Sequence, residues 1–486
     1  MANQRTTPAS LSLDPSASEL PARILRILGA DRAVGYAVLG NLTSLILGPV
    51  TVLLIAWRFS PELQGYYYTF GSLVALQALF DLGLGQAIIQ FASHDWSALS
   101  LDENGRVVGD EGARSRLLSL GRLSFKWYGL AAFLLFFGLG PAGYVFFSHV
   151  PADRISWSGP WIALCVSVSV GFTLLPLFSL LQGCNQVRQF WFYRWIQQIV
   201  NGLSLWAAIL LGANLWTLPV ASAVGLIWST FFLLRRYPRF VGFFLSPPAG
   251  PLIRWRTDVW PVQWRIAISW IGAYFTTALF APILFRLSGP VVAGQMGMTV
   301  TLALVLLAIS SNWVITKGPR FGVLIALGEY RELDRLFRQS FVSSIAVSCL
   351  GAVAIGLGIF LLHMFRHPLS ARVLPPLPTF LLLTGAVLNS ATMGISIYLR
   401  AHKREPLALV YLLTALFILA SALVLGERFG ALGVASGYLG AVAVIQLPLS
   451  IIIFQRRRTE WHRVPPAGSF SPLRVVKPAD DPAGVI

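Results

Sequence analysis

Charged side chains are scarce in this sequence of 486 residues: 12% are Asp, Glu, Lys or Arg, whereas 56% are hydrophobic. A water-soluble domain carries charged residues at about twice that frequency, so the composition excludes an ordinary soluble protein. Apolar blocks of twenty or more residues recur from Ala33 to near Gln455. Each block is long enough to cross roughly 30 Å of hydrocarbon as an α-helix. We therefore predict an all-α polytopic membrane protein.

Three further absences narrow the class of protein. The sequence holds only three cysteines, without metal-ligand spacing, so we predict no disulfide framework, no metal site and no cofactor. It lacks the alternating segments of about ten residues that build a transmembrane β-barrel. The polar N-terminal segment leads into a full-length apolar block without a short h-region and cleavage site, so we expect no removable signal peptide.

Acidic residues are also few, since 20 Asp and Glu stand against 37 Lys and Arg for a net charge of +17. In a soluble protein this balance would suggest nucleic acid, but membrane topology explains it better here, and we expect no nucleic-acid partner. With twelve spans and both termini in the cytoplasm, 30 of the 37 basic residues lie on the cytoplasmic side and six on the other, as the positive-inside rule requires. The predicted spans are 33–57, 65–92, 124–148, 159–182, 190–212, 213–234, 259–285, 290–315, 341–362, 377–399, 405–426 and 430–455.

Sequence features of the first half recur about 220–230 residues later. For example, the segment Arg58–Gly65 is similar to the segment Arg286–Gly294. We therefore predict two homologous six-helix bundles, related by a pseudo-two-fold axis along the membrane normal, around a central cavity. The predicted divisions are a cytoplasmic N-terminal segment 1–32, a first bundle 33–234, a cytoplasmic linker 235–258, a second bundle 259–455 and a basic cytoplasmic tail 456–486.

The segment Glu329–Phe341, in the predicted cytoplasmic loop after the eighth span, places Leu333, Leu336 and Phe337 on one helical face. This pattern predicts a helix at the cytoplasmic surface, either lying on the membrane or forming an elbow between two spans. The elbow is the simpler interpretation.

The sequence shows no constellation of catalytic residues. The predicted outer loops are all short, which leaves no room for an extracytoplasmic catalytic domain. No pair of carboxylates in a D-x-D arrangement lies at a predicted membrane surface, and no His, Ser and Asp set converges. We therefore predict that the protein is not an enzyme.

Polar side chains inside the predicted spans are the candidate functional residues, because hydrocarbon penalises them. An ordinary hydrogen bond between two helices is the alternative explanation for each amide. Spans 1, 2, 7 and 8 carry the residues predicted to line a substrate cavity: Asn41, Gln77, Asp81, Gln86, Gln90, Gln263, Arg265, Gln295 and Asn312. The fifth span adds Gln197, Gln198 and Asn201.

Two of these candidates are charged. The span lengths place Asp81 about 16 Å and Arg265 about 8 Å inside the cytoplasmic boundary of the membrane. The Asp81 carboxylate is a candidate for coupling transport to protons or ions. Alternatively, it pairs with Arg265 when the transporter is at rest. The Arg265 side chain is long enough to reach inward to Asp81, outward to the lipid headgroups, or sideways to a ligand.

Four stretches carry a resemblance to a known family: FSPELQGYYY at 59–68, WPVQWRIAISW at 260–270, GPVVAGQMG at 289–297 and KGPRFG at 317–322. They resemble the bacterial polysaccharide flippases of the multidrug/oligosaccharidyl-lipid/polysaccharide (MOP) exporter superfamily. The likeness extends over most of the sequence between Ala33 and Phe454.

The resemblance implies twelve helices in two bundles and alternating access to a central cavity in the bacterial inner membrane. The implied cargo is a polyprenyl-pyrophosphate-linked oligosaccharide, moved from the inner to the outer leaflet, with membrane lipids and glycosyltransferases or a polymerase of the same pathway as partners. Cationic cavity residues would meet the pyrophosphate, and Arg265 is the one deep candidate among the predicted spans. A drug/cation antiporter of the same superfamily, or a non-transporting scaffold for envelope glycan assembly, remain as alternatives.

Overall fold

A computed structural model describes residues 32–149, 155–247, 249–261, 263–264, 267, 278–402 and 404–463. The described residues are largely helical, in agreement with the predicted all-α class. The helices up to position 288 are α1 Arg32–Arg58, α2 Pro61–Val74, α3 Gln77–Asp81, α4 Leu84–Trp96, α5 Glu111–Leu134, α6 Gly140–Ser148, α7 Ser158–Gly183, α8 Val187–Leu210, α9 Thr217–Arg236, α10 Pro238–Phe243 and α11 Phe280–Ser288. The helices that follow are α12 Pro290–Ile315, α13 Gly318–Leu327, α14 Tyr330–Met364, α15 Pro376–Ala401, α16 Ala408–Gly440 and α17 Leu447–Arg463.

Short irregular elements connect these helices. Strands β1 Leu99–Leu101 and β2 Val107–Gly109 form an antiparallel hairpin between α4 and α5, with Leu99 opposite Gly109. Segments of π-helix lie at Leu135–Leu139, Trp255–Val259 and Ala441–Gln446, and segments of 3₁₀-helix at Asn214–Trp216 and Pro368–Arg372. Gly430 has non-helical angles (φ 56°, ψ −133°), so α16 consists of two helices that meet at this glycine.

Local sequence signals account for several helix starts. Ser60 precedes Pro61 at the start of α2, and its hydroxyl accepts a hydrogen bond from the Leu63 N–H at 3.2 Å. Asp110 caps α5 in the same way and accepts from the Ala113 N–H at 2.7 Å. Such side chains satisfy backbone donors that the first turn of a helix leaves free.

The predicted spans agree with the observed helices over most of the chain. In the described residues, eight helical segments are long and apolar enough to cross a membrane, and the bent pair α2–α3 and α4 makes a ninth. One of the eight, Ala408–His462, contains the predicted twelfth span and nearly all of the eleventh. The predicted fifth span corresponds to α8, which is less apolar, and about half of the seventh lies outside the described residues. The multi-pass α-helical class is confirmed, and the count of twelve stays a prediction.

The described residues form two compact units. The first comprises the described residues up to position 267 together with Ala278–Met298, and the second those from Thr299 onward. In the first unit, α4, α5, α7 and α10 bury a core that includes Leu84, Leu117, Leu180 and Phe240. A second core in the other unit includes Phe321 and Tyr398. The bundle boundaries at 235–258 rest on the sequence repeat and stay a prediction.

The segment Glu329–Phe341 is not a separate surface helix. Its residues from Tyr330 onward form the first turns of α14, which continues without interruption into the ninth predicted span. Arg458 of α17 donates hydrogen bonds from Nε to both carboxylate oxygens of Asp334 at 3.1 Å, and the Tyr398 hydroxyl donates to the same carboxylate at 2.9 Å. These contacts tie the ends of three helices together, so the elbow interpretation describes this segment better.

Candidate functional site

A cavity of about 550 Å³ lies within the first unit, between α3, α4, α5, α7, α8 and α9. Apolar residues such as Ile89 and Phe178 form part of its wall. Its polar lining residues are Gln77, Asp81, Gln86, Tyr128, Ser167, Ser179, Gln182, Tyr193, Arg194, Gln197, Asn201, Ser222 and Ser229. The cavity thus combines amides and hydroxyls with a carboxylate and a guanidinium. In the described ranges, no three His, Cys, Asp or Glu side chains are arranged to hold a metal ion.

Asp81 lies at a break in the second predicted span. It is the last residue of α3, and the next two residues, Leu82 (φ 45°) and Gly83 (φ 69°), both adopt left-handed backbone conformations. The helical segments on either side of this break are bent by 41°. For Leu82 the left-handed conformation costs roughly 1–2 kcal/mol, because its Cβ comes close to the following carbonyl oxygen. A break of this kind exposes backbone N–H groups at the start of the next helix, where negative charge is favoured.

The carboxylate of Asp81 is held by groups on both sides of the break. The Tyr128 hydroxyl of α5 donates a hydrogen bond to Oδ1, and the backbone N–H groups of Gly83 and Gly85 lie near enough to stabilise the negative charge. No Lys or Arg in the described part of the chain lies within ion-pair distance of this carboxylate. Among the described residues, hydrogen-bond donors rather than an ion pair therefore contact this carboxylate, beside a polar cavity.

Two neighbouring residues of α5 donate hydrogen bonds to the last residues before the break. Trp127 donates from its indole N–H to the carbonyl oxygen of Phe80 at 3.2 Å, which satisfies one of the carbonyls left free at the end of α3. Tyr128 is buried and donates to Asp81 from the next position along the helix. The Tyr128 ring packs against Phe172 of α7, with a centroid separation of 5.0 Å. The geometry of the break therefore depends on α5 and α7 as well as on its own residues.

The opposite wall of the cavity is formed by α8 and α9. Ser229 is at the centre of a hydrogen-bonded group in which its hydroxyl lies 2.6 Å from the Tyr193 hydroxyl and accepts from the Gln197 side-chain amide at 3.1 Å. Asn201 approaches α9 at Gly225, where a Cβ would lie only 2.4 Å from the Asn201 Oδ1 atom. Glycine at 225 thus permits the amide to pack close to the neighbouring helix.

Arg194 brings a positive charge to this cavity. It lies seven residues into α8, or about 10 Å along the helix axis, and its side chain is exposed. Among the described residues no acidic side chain pairs with it. A guanidinium remains charged at every physiological pH and binds phosphate oxygens in a bidentate manner. Arg194 is therefore available to an anionic ligand.

The predicted cavity residues divide into three groups. Gln77, Asp81 and Gln86 lie together on this cavity wall. The others are not among its lining residues: Gln90 and Asn41 are exposed, Gln295 and Asn312 are half-buried, and Gln263 is buried. Arg265 lies outside the described residues.

Sequence reasoning does not select several residues that line the cavity, among them Tyr128, Arg194 and Gln182. Arg194 follows the predicted boundary of the fifth span by only a few residues, so it counts with the cytoplasmic charges. Tyr128 has the apolar character of its span, although a buried tyrosine hydroxyl usually has a hydrogen-bond partner. Gln197 and Asn201 are polar residues of the predicted fifth span, and they indicate from sequence that α8 contributes to the cavity wall.

Comparisons by sequence find no relative: no family model and no curated protein matches this chain. Solved structures do match. Lipid II flippase MurJ in an inward closed conformation matches with a TM-score of 0.58 and 11% identity, over 88% of this chain and 90% of that one. The MATE multidrug transporter DinF-BH matches with a TM-score of 0.53 and 15% identity, over 95% and 100%. An inward-facing multidrug resistance MATE family transporter of the MOP superfamily matches with a TM-score of 0.52 and 10% identity, over 87% and 96%.

These likenesses establish the fold. The chain is a multi-pass α-helical membrane protein that shares its fold with these solved transporter structures. The matched structures include a flippase and multidrug transporters, so the fold is common to both kinds of transporter.

Proposed function

We propose that this protein moves a polyprenyl-pyrophosphate-linked oligosaccharide from the inner to the outer leaflet by alternating access. A sugar headgroup cannot cross hydrocarbon unless protein groups replace its hydrogen bonds to water. The cavity of the first unit offers such groups, and its volume of about 550 Å³ falls within the usual range for binding sites of small organic molecules. The lipid tail would remain in the bilayer while the headgroup passes through.

The observation that carries this proposal is the Arg194 guanidinium in an amide-rich cavity. Amide side chains such as Gln77 and Gln197 match the donors and acceptors of sugar hydroxyls, and a guanidinium matches a pyrophosphate. A cationic drug would meet unfavourable charge at Arg194. The second cation of the proposed site is Arg265, at the predicted start of the seventh span.

Asp81 is the observation that favours the second candidate, a drug/cation antiporter. Its carboxylate lines the same cavity and would attract a cationic ligand. The Tyr128 hydroxyl and the nearby Gly83 and Gly85 amides already stabilise this carboxylate, so we assign it to the coupling of transport rather than to binding of the cargo. A non-transporting scaffold for envelope glycan assembly is the third candidate. A scaffold does not require a polar cavity inside the protein, so the cavity does not favour this function.

The cellular context belongs to the same proposal. We infer a bacterial inner membrane with both termini in the cytoplasm, no catalytic activity, and glycosyltransferases or a polymerase as the enzymes that supply and consume the cargo. The proposed cargo headgroup is made in the cytoplasm, so the cavity must open first to that side.

A reconstituted system separates the two transport functions. The purified full-length protein is placed in vesicles with a fluorescent polyprenyl-pyrophosphate oligosaccharide, and the leaflet of the label is read by quenching with a membrane-impermeant reductant. A parallel set of vesicles measures uptake of a cationic dye. Movement of the lipid-linked sugar without uptake of the dye supports the flippase, and the reverse result supports the antiporter. Movement of neither would leave the scaffold as the better account.

Arg194→Gln is expected to slow flipping of the lipid-linked sugar about 10- to 100-fold at limiting substrate, because a hydrogen bond to a charged group contributes about 1.5–3 kcal/mol. Arg265→Ala is expected to abolish flipping while the protein remains folded and inserted. Arg331→Gln removes the same charge from an exposed position of α14 and is the matched control. Unchanged flipping in both Arg194→Gln and Arg265→Ala would remove the cations from the mechanism.

Gly171→Trp tests whether the cavity itself is the route. Gly171 lines the cavity, and a Cβ at this position would meet no atom within 4 Å, so an indole can enter the open space without a clash at its root. We expect most of the transport activity to be lost, with an unchanged thermal unfolding midpoint. Gly129→Trp, on an exposed face of α5 with equally open space, is expected to keep the activity. Equal activity of the two variants would place the route elsewhere.

A further inference from the structure

A second cavity, of about 310 Å³, lies between α1, α8 and α9 and shares no lining residue with the first. It is lined by Tyr36, Arg188, Gln189, Phe192, Phe231, Phe232, Arg235 and Arg236. Three of these eight residues are arginines and four are aromatic. The cavity therefore has a strongly cationic part and an apolar part.

The positions of the three arginines place them at one end of the spanning helices. Arg235 and Arg236 are in the last turn of α9, and Arg188 is in the first turn of α8. Helix ends of this kind lie near the level of the lipid headgroups, and the sequence assigns all three residues to the cytoplasmic side. The positive end of the α8 dipole adds to the charge of Arg188 rather than offsetting it.

The three guanidiniums have no acidic partner within the described residues, and all three are exposed. Arg116 of the same unit, by contrast, donates to the buried carboxylate of Asp95 at 2.9 Å. Like charges that line one small cavity repel each other, and an anion bound between them would relieve this repulsion. The charge pattern therefore selects a ligand with at least one phosphate.

The aromatic part of the cavity selects a lipid rather than a soluble anion. Tyr36 packs edge-to-face on Phe192 with a centroid separation of 5.2 Å, and stacks on Trp195 at 6.0 Å. Phe192 and Phe231 remain 38% and 58% exposed. Inorganic phosphate would gain nothing from these rings, whereas acyl chains beside a phosphate headgroup would cover them.

We propose that this cavity is a binding site for an anionic phospholipid of the surrounding bilayer, with the phosphate held by Arg188, Arg235 and Arg236. The acyl chains lie against the aromatic wall formed by Tyr36, Phe192 and Phe231. The site does not depend on the proposed cargo, because it shares no lining residue with the first cavity. An occupied site would join α8 and α9, which carry the far wall of that cavity.

The test measures lipid binding to the purified full-length protein by native mass spectrometry, with phosphatidylglycerol, cardiolipin and phosphatidylcholine titrated separately. We expect the two anionic lipids to bind and phosphatidylcholine to bind far more weakly. The triple variant Arg188→Gln, Arg235→Gln, Arg236→Gln is expected to weaken anionic-lipid binding on the order of 100-fold, since each cation near the surface contributes about fivefold. Each single variant is expected to weaken binding about fivefold, which keeps the test available if the triple variant unfolds.

The matched control replaces Arg331, Arg335 and Arg338 of α14, which are exposed and line neither cavity, by glutamine. It removes the same charge and is expected to bind lipid as the parent does. Equal weakening in this control would reduce the effect to net charge and overturn the site. Competition by free pyrophosphate as effective as that by phosphatidylglycerol, or unchanged binding in Phe231→Ala, would show that the aromatic wall has no role and would overturn the assignment to a lipid.

Discussion

Replacing Asp81 by asparagine is expected to abolish the acceleration of transport by a proton or Na⁺ gradient while the protein remains folded. Asparagine has nearly the same shape and keeps an oxygen that can accept from the Tyr128 hydroxyl, but it carries no charge. An ionisable group inside a membrane span is costly, and is usually kept because it takes part in ion or substrate movement. The variant therefore separates the charge at the break from the geometry of the break.

The measurement compares the rate of flipping in vesicles with and without an imposed gradient. In the parent protein the gradient should raise the rate, and in Asp81→Asn the two rates should be equal. Glu103→Gln, an equal loss of charge at an exposed position of the β1–β2 turn, should respond to the gradient as the parent does. A normal response of Asp81→Asn to both pH and Na⁺ would refute the coupling role.

A second variant, Tyr128→Phe, separates the contribution of the Tyr128 hydroxyl from that of the Asp81 charge. It removes one hydrogen bond to the Asp81 carboxylate and leaves the charge in place. We expect a partial loss of coupling, because the nearby Gly83 and Gly85 amides still stabilise the charge of the carboxylate. A complete loss would indicate that the tyrosine hydroxyl itself carries the proton.

Gly65→Ala is expected to cause the largest loss of stability, about 3 kcal/mol or more, because the extra carbon has no space. A Cβ at position 65 would lie 1.9 Å from the carbonyl oxygen of Pro290 and 2.9 Å from its Cα. These are backbone atoms at the start of α12, so no rotamer change can relieve the clash and the two helices must move apart. The Gln64 side-chain amide, which donates to the Gly294 carbonyl at 2.8 Å, would be pulled from its acceptor.

Gly71→Ala in the same helix is the matched control. A Cβ there would meet nothing within 4 Å, and alanine is favoured over glycine inside a helix by about 1 kcal/mol. Thermal unfolding in detergent, followed by the fraction that remains monodisperse, should therefore show a lower midpoint for Gly65→Ala and an unchanged or higher one for Gly71→Ala. Equal midpoints would mean that α2 and α12 do not pack as closely as the structure indicates.

The sequence predicts most of the spanning helices, because each one must bury its backbone hydrogen bonds within the lipid and must be apolar to do so. Its prediction is weakest for α8, where Arg188 and Arg194 lower the apolar character. The start of the helix at Tyr330 is also weakly predicted, because an amphipathic pattern does not distinguish a separate surface helix from the first turns of a spanning one.

The candidate site is predicted in part. Gln77, Asp81 and Gln86 stand out as polar residues in an apolar span, and they lie on the cavity wall. Arg194 is not predicted, because it lies near a predicted helix end and is counted there among the basic residues of the cytoplasmic side. A sequence gives the distance of a residue from a helix end, but it does not give the direction of its side chain. Arg265, the residue on which the sequence argument depends most, lies outside the described residues.

The sequence by itself determined that this chain is a membrane protein and approximately where its helices run, since these follow from composition and from the length of its apolar blocks. Its short motifs resemble those of transporters with the fold that the structure shows. Only the tertiary structure decided that α3 ends at Asp81 in a left-handed break, that Trp127 and Tyr128 hold this break, and that Arg194 shares a cavity with it. The physical reason is that each of these features depends on a neighbour far away in the chain. A hydrogen bond or a cavity wall requires two helices to meet, and no local pattern records which face of one meets which face of the other.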